Sequence, residues 1–407
     1  MDKVTGIVAE FDPFHNGHKY LLEEVRREID PEVTIAVISG NFTQRGEPAL
    51  IDKWARAEMA VRQGIDLVVE MPFVFACNNA GYFAGAGVGI LEALGADLIA
   101  FGSETGNVKA LKEYASKRAN ITEEQYDEIR SLAKEGLSYP KAVSTVLGDT
   151  EEPGPNDNLA AEYLKHMKKA EPVAIKRIGA GHGSLEEIEG IDGYTSPEDR
   201  AEGDMIASAT FIRQKLLSGE ALDSIKHLVP PSTLDVLKRE SEAYGFCGPE
   251  MLFKQIVSRV AQVSEDELNS VYGAEEGLGS KLKDQFRYAT AWDGLIWVLK
   301  SKRYTRTRIQ RVLTHMLTGL TREMVYDAGL YIRPLAFNKR GAAHLKSIKK
   351  SGILDLPMIE NISTDMKEHP ELKATFDMEI LATDLYNAAL GRDLYTNSEY
   401  VKKPLIF

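Results

Sequence analysis

The residues best equipped for chemistry lie in one short stretch, Glu10-Phe11-Asp12-Pro13-Phe14-His15-Asn16-Gly17-His18. An apolar run at residues 4–10, including Ile7, Val8 and Ala9, reads as a buried strand before it. Helical periodicity at Leu21, Leu22 and Val25 follows it. Open parallel sheets take ligands beyond the carboxyl ends of their strands. Here Pro13 stiffens the turn, Gly17 lets the backbone approach closely, and the helix N-terminus offers unpaired N–H groups and a positive dipole end to a phosphate. His15 and His18 can donate to phosphate oxygens and so stabilise charge building on an α-phosphate under attack. Three other readings fit the residues to different degrees. Zinc also uses His-x-x-His, although no Cys is near and His15 precedes the helix. The dinucleotide pattern G-x-G-x-x-G is absent. Two surface histidines without a ligand are the third reading.

A second group is Ile206-Ala207-Ser208-Ala209-Thr210-Phe211-Ile212-Arg213. Ser208 and Thr210 can cap a helix and donate to phosphate, and Arg213 adds a forked cation about a turn later. Pro155-Asn156-Asp157 reads equally as a turn or helix cap. Trp54 and Trp292 could stack bases, but tryptophans at helical spacing are more often core.

The elements that must position these residues alternate. Strands are expected at residues 4–10, 33–38, 65–71, 97–101 and 173–178, and helices at 18–29, 53–63 and 80–94. The expected fold class is therefore α/β, a parallel sheet with right-handed crossovers. A helical insertion is expected at about 107–150. The first domain is placed at 1–225 and a mainly α-helical second domain at 226–407, ending in an extended tail at 400–407. On this layout Gly102 ends the fourth strand, and Lys176 and Arg177 leave the fifth on the ligand side. Arg177 is the better nucleotide contact of that pair.

Composition excludes several classes. The chain of 407 residues is 43% hydrophobic and 27% charged, and it holds two cysteines, Cys77 and Cys247, in no metal-like spacing. A disordered, collagenous or disulfide-stapled chain does not fit, and no run is long enough for a membrane span. The N-terminus lacks a signal-peptide pattern, so a reducing cytoplasm is expected. The formal net charge of −12 is uneven: residues 281–350 carry 16 Lys and Arg against 4 acids, which leaves −24 for the rest. The densest part holds Lys302, Arg303, Tyr304, Arg306, Arg308 and Arg311, types that hold phosphates and stack on bases. A solvated basic helix face is the plainer reading.

His15-Asn16-Gly17-His18 is similar to the H-x-G-H signature of the HIGH nucleotidyltransferase superfamily, and residues 206–213 resemble its I-S-S-T-x-I-R motif. Residues 6–18, 39–48, 52–60, 101–104, 155–157, 175–177, 303–311 and 331–338 more closely resemble the bacterial tRNA(Met) cytidine acetate ligases. Asp12 and Asn158 depart from that pattern. The resemblance implies a Rossmann-like nucleotidyltransferase domain followed by a helical tRNA-binding domain. It implies that acetate and ATP form acetyl-adenylate, and that the acetyl group passes to N4 of the wobble cytidine of elongator tRNA(Met). It assigns catalysis to His15 and His18. ATP binding falls to Ile7, Val8, Ala9, Glu10, Phe11, Pro13, Phe14, Gly17, Gly102, Asn156, Lys176, Arg177, Ser208, Thr210 and Arg213. Lys302, Arg303, Arg306, Arg308 and Arg311 are expected to dock tRNA. ATP is the expected cosubstrate, with Mg2+ carried by the nucleotide and not by protein side chains. Gln44, Arg45 and Glu47 could meet acetate, nucleotide or RNA. Two alternatives remain: a small-molecule adenylyltransferase, and an RNA-binding module on a degenerate enzyme fold.

Overall fold

The computed structural model describes residues 3–135, 137, 139–148, 154–178, 205–275, 277–301, 304–352, 354–395 and 397–407. The first half runs β1 (Val4–Ala9), α1 (Asn16–Ile29), β2 (Val33–Ser39), α2 (Lys53–Arg62), β3 (Leu67–Met71), α3 (Phe73–Ala76), α4 (Ala80–Ala93) and β4 (Leu98–Ser103). The expected insertion forms α5 (Val108–Ala119), α6 (Glu123–Glu135) and α7 (Tyr139–Leu147). Then come α8 (Pro155–His166), β5 (Glu171–Lys176) and α9 (Ala209–Leu217).

The second half holds α10 (Pro231–Tyr244), α11 (Pro249–Gln262), α12 (Glu265–Ser270), α13 (Leu278–Gln285), α14 (Trp292–Leu299), α15 (Arg306–Thr318) and α16 (Arg322–Tyr326). β6 (Pro334–Phe337), α17 (Lys339–Ser351), α18 (Ile362–Glu368), α19 (Lys373–Ala389), α20 (Ser398–Val401) and β7 (Leu405–Ile406) complete the chain.

The sheet order is β5-β4-β1-β2-β3-β6-β7. β1 to β5 are mutually parallel, with β1 paired to both β2 and β4. Strand order therefore reverses at β1, and the crevice between the carboxyl ends of β1 and β4 is where such a sheet takes a ligand. All seven residues of β2 are buried, as expected for a parallel strand covered on both faces. One face packs against α1, α2, α9 and α10, the other against α4, α8 and α17. A third core joins α11, α13, α14, α15 and α19 to Phe73, Val74 and Cys77.

The change to helical character near residue 226 is a change along the chain. In space the sheet crosses it: β6 pairs antiparallel with β3 through Leu67↔Phe337 and Val68↔Ala336. The expected extended tail is instead docked. It completes α20 and places β7 parallel to β6 through Ala336↔Leu405 and Phe337↔Ile406. This pairing satisfies an edge that β6 would otherwise expose. Among the described residues, no helix is long and apolar enough to cross a membrane.

Candidate active site

His15 is the N-cap of α1, and its Nδ1 accepts the Gly17 N–H at 3.0 Å. His18, one turn on, returns the contact: its Nδ1 accepts the His15 N–H at 3.2 Å. This reciprocal capping fixes both tautomers, because a ring nitrogen that accepts carries no proton. Each imidazole therefore holds its proton on Nε2. The rings stack at 3.8 Å between centroids, with Phe11 edge-on to His18 at 5.0 Å. Burial, the neighbouring imidazole, Arg177 and Arg213 hold His15 well below its usual pKa. Burial and then Arg177 do the same for His18. Both rings are neutral donors near pH 7. Gly17 is required here, since a Cβ would lie 2.8 Å from His15 Cε1.

Asn16 ties this turn to a distant segment. Its amide donates to the carbonyls of Met205 and His227 at 3.0 and 2.9 Å. That brings the second expected group alongside. Ser208 caps α9 by accepting from the Phe211 N–H. Arg213 Nη1 donates to the Asp12 carbonyl at 2.8 Å, with Nε 3.6 Å from the Asp12 carboxylate and Nη2 3.5 Å from Thr210 Oγ1. The carboxylate that meets Arg213 thus belongs to the histidine loop itself.

The other expected contacts divide. Ile7, Phe11, Pro13 and Phe14 are buried, while Val8, Ala9 and Glu10 are half-buried toward the end of β1. Gly102 lies under Arg177, 3.2 Å from its Cγ to an added Cβ, and Arg177 keeps an exposed surface. Lys176 is exposed. Asn156 donates its amide to Glu104 Oε1 at 2.5 Å, and the Glu104 carboxylate also receives the Asn156 and Asp157 N–H groups. Asp157 in turn accepts from the N–H groups of Glu104 and Thr105. Asn156 therefore helps lock α8 to the end of β4.

Residues 42–48 form a closed hairpin beside this crevice. Phe42 bridges Pro48, Thr43 N–H donates to Glu47 O, and Gln44 N–H donates to Glu10 Oε1 at 2.7 Å. Burial raises the Glu10 pKa, against the pull of the Gln44 N–H. Nothing in the local sequence marks Arg56 for a role at this crevice. It is fully buried, and its guanidinium donates to the carbonyls of Glu10, Ser39, Gly40 and Ile51, which clamps the ends of β1 and β2 together.

The basic segment separates on folding. Arg306 pairs with Asp293 at 2.5 Å, and Arg308 lies over Tyr304. Arg322, Arg333, Arg340 and Lys349 pair with carboxylates. Lys281 and Lys283 donate to helix-end carbonyls. Lys302 and Arg303 lie outside the described residues. Arg311 turns inward to the hairpin, its Nη1 3.3 Å from Gln44 O. Trp54 and Trp292 are core, whereas Trp297 on α14 is 79% exposed beside the exposed Asp293 and Lys300.

A second charged group is buried between sheet and helices. Lys53 Nζ contacts Glu70, Glu379 at 2.9 Å and Glu399 at 2.7 Å, and Arg333 joins Glu70 and Glu399. These three carboxylates are close enough to share a metal ion, but the Lys53 ammonium occupies the space between them. The charged groups that act on the histidines are Arg177 and Arg213. That donor set suits nucleotide phosphates.

The HIGH Nucleotidyl Transferase family model matches residues 2–400. The chain is 33% identical to the tRNA(Met) cytidine acetate ligase of Anoxybacillus flavithermus, across 99% of this chain and 100% of that one. It is 34% identical to the enzyme of that name from Bacillus licheniformis, across 99% and 97%. Its structure is similar to that of Thermotoga maritima TmcAL, with a TM-score of 0.86 and 28% identity for the apo form, covering 100% of this chain and 99% of that one. For the form bound with alpha-thio ATP the TM-score is 0.84 at 28% identity, covering 99% of each.

Proposed function

The chain belongs to the tRNA(Met) cytidine acetate ligase family of HIGH nucleotidyl transferases, and from that membership we propose how it works. ATP lies over the β1–β4 crevice with its phosphates at the N-terminus of α1. An acetate oxygen attacks the α-phosphorus, the bond to the bridging oxygen breaks, and pyrophosphate leaves with the electron pair. Acetate is already an anion near pH 7, so this step needs no general base. The exocyclic N4 amine of the wobble cytidine of elongator tRNA(Met) then attacks the acetyl carbon. The carbon–oxygen bond breaks, AMP departs, and the amine loses a proton.

One observation carries the reading. Two neutral imidazoles with fixed Nε2–H donors stand at the strand-order reversal. Among the described residues neither Nε2 has a hydrogen-bond partner. Donors already aimed at developing charge lower the barrier without reorganising during the reaction. Arg213 and Arg177 supply cations beside them, and Ser208 and Thr210 bring the start of α9 to the same crevice. Ile7, Val8 and Ala9 contribute as the strand that ends there. Mg2+ would arrive carried by the nucleotide and would offset part of the phosphate charge.

The RNA face lies on the second half and in the cytoplasm of the cell. Lys300, Arg287 and Arg306 supply phosphate contacts, and the exposed Trp297 and Tyr288 supply aromatic surface for unpaired bases. A small-molecule adenylyltransferase is not favoured, because the relatives align across both halves of the chain. The test is exchange of labelled pyrophosphate into ATP without RNA. Exchange that requires acetate supports the ligase, and acetate-independent exchange, or none, refutes it.

A further inference from the structure

We propose that Arg311 binds the carboxylate of acetate, which places it in the adenylation site and not on the RNA face. This rests on the ligase reading and names a subsite within it. The sequence puts Arg311 in a run of surface cations, but folding gives it different neighbours. Thr314, one turn further along α15, donates its hydroxyl to the Gly46 carbonyl at 2.6 Å, and Gln310 donates to Glu47. Gly46 has φ +81°, and a Cβ there would strike the Arg311 backbone N at 2.4 Å. The hairpin and α15 are therefore locked face to face, with the Arg311 side chain between them.

The guanidinium has five donors, and its one hydrogen bond among the described residues is the 3.3 Å contact to Gln44 O. It makes no ion pair there. The ionisable groups it feels most are the Cys77 thiol and the Tyr272 phenol, which are neutral near pH 7, and the like charge of Arg308. A largely desolvated guanidinium without a carboxylate is an anion site in waiting, and its fork matches a carboxylate in shape. The same Gln44 that accepts from Arg311 donates its N–H to Glu10 at the end of β1, so this fork opens beside the reaction crevice.

Two facts favour acetate over a phosphate. Arg311 reaches the crevice through Gln44 and Glu10 at the end of β1, apart from the Arg177 and Arg213 that act on the histidine pair. The reaction has one further small anion, acetate, which must sit next to the α-phosphate that it attacks. The fork is close enough to feel the Cys77 thiol, which is buried in one core with Phe42, Val74, Ile309 and Val312, apolar surface suited to a methyl group.

The experiment compares the parent with Arg311→Gln and Arg311→Lys in acetate-dependent pyrophosphate exchange, with tRNA binding measured separately. The Gln variant should raise the KM for acetate roughly 10²-fold, and Lys should restore part of it. The KM for ATP and the affinity for tRNA should stay within about threefold. A melting curve checks each fold, and Arg311→Lys carries the test if the Gln variant fails to fold. An unchanged KM for acetate overturns the proposal, whether tRNA affinity or the KM for ATP moves instead. A parent that shows no acetate-dependent exchange overturns the ligase reading itself, an outcome seen before any variant is made.

Discussion

The crevice at the carboxyl edge and the buried cluster around Lys53 handle charge in opposite ways. In the cluster every charge is spent. Lys53 uses its ammonium on three carboxylates, Arg333 bridges two of them, Tyr331 and Thr383 donate to Glu70 and Glu399, and the Phe73 N–H donates to the second oxygen of Glu379. Burial and the neighbouring Glu70 push Glu379 up to about 8, so it is protonated near pH 7 and two cations face two anions. In the crevice the charges and donors are left over. Two imidazoles present Nε2–H, Arg177 lies open above Gly102, and Arg213 is only loosely paired, 3.6 Å from the Asp12 carboxylate and 4.0 Å from that of Glu47. Closed bookkeeping holds α2, β3, α19 and α20 together, and open valence binds.

The comparison predicts which substitutions unfold the protein and which silence it. Lys53→Met removes the centre of the cluster and leaves Glu70, Glu379 and Glu399 with Arg333 alone. Breaking a buried pair costs about 3–5 kcal/mol, so urea denaturation should show a loss on that scale. A loss below about 1 kcal/mol would show that the cluster is not the clamp described.

His15→Asn keeps a side chain able to cap α1, and His18→Asn keeps a small polar group. Each should lower acetate-dependent exchange by ~10²-fold or more, the scale of one preorganised donor, with little change in melting temperature. Normal exchange rates in both would remove the histidines from the chemistry. Arg213→Lys should then raise the KM for ATP roughly tenfold, and Arg213→Ala more, because a point charge cannot replace a fork. Equal effects of Lys and Ala would mean that Arg213 serves only to brace the Asp12 carbonyl.

The crevice was legible because its parts are local. Strand, turn, His-x-x-His and helix follow one another within residues 4–29, and hydrophobic periodicity marks each of them. The cluster was not legible, because residues 53, 70, 333, 379 and 399 come from separate segments and meet only when β6 and α20 join the sheet. β6 and β7 are four and two residues long, too short for a period to show. The basic run divides on folding because a charge count ignores direction. At about 100° per residue, Arg306 and Arg311 point about 140° apart on α15, one toward Asp293 and the other toward the hairpin. Trp297 is not legible as surface because its type suggests core, while α14 spends its inner face on Trp292, Leu295, Ile296 and Leu299.

Trp297 gives a smaller effect. Stacking is worth about 1–3 kcal/mol per base, so Trp297→Ala should weaken tRNA binding by roughly tenfold or more and leave acetate-dependent exchange intact. With Trp54 and Trp292 buried, iodide should quench chiefly Trp297, and bound tRNA should protect it. Quenching that is unaffected by saturating tRNA would move the RNA face elsewhere.

The smallest effects lie in the pH dependence of stability, where the two regions have opposite signs. The histidines have folded pKa values below 6.5. Their contribution is present above that pH and is lost as pH falls below it, by at most about 1.4 kcal/mol per unit for each ring. Glu379 has a raised value, so its contribution is present below about 4.5 and is lost as pH rises toward about 8. Urea titrations at several pH values should lose the acid-side slope in the double His→Asn variant and the neutral-side slope in Glu379→Gln. Unchanged slopes in both would contradict the assigned directions.

The central claim is that the donors left over at the carboxyl edge direct acetate to the α-phosphorus of ATP. Acetate labelled with 18O in its carboxylate tests it, with ATP, elongator tRNA(Met) and the parent protein, and mass spectrometry of the nucleotide product. Attack on the α-phosphorus followed by cleavage of the acetyl carbon–oxygen bond leaves one labelled oxygen in AMP and none in pyrophosphate. Unlabelled AMP, or ADP as the nucleotide product, would contradict the account.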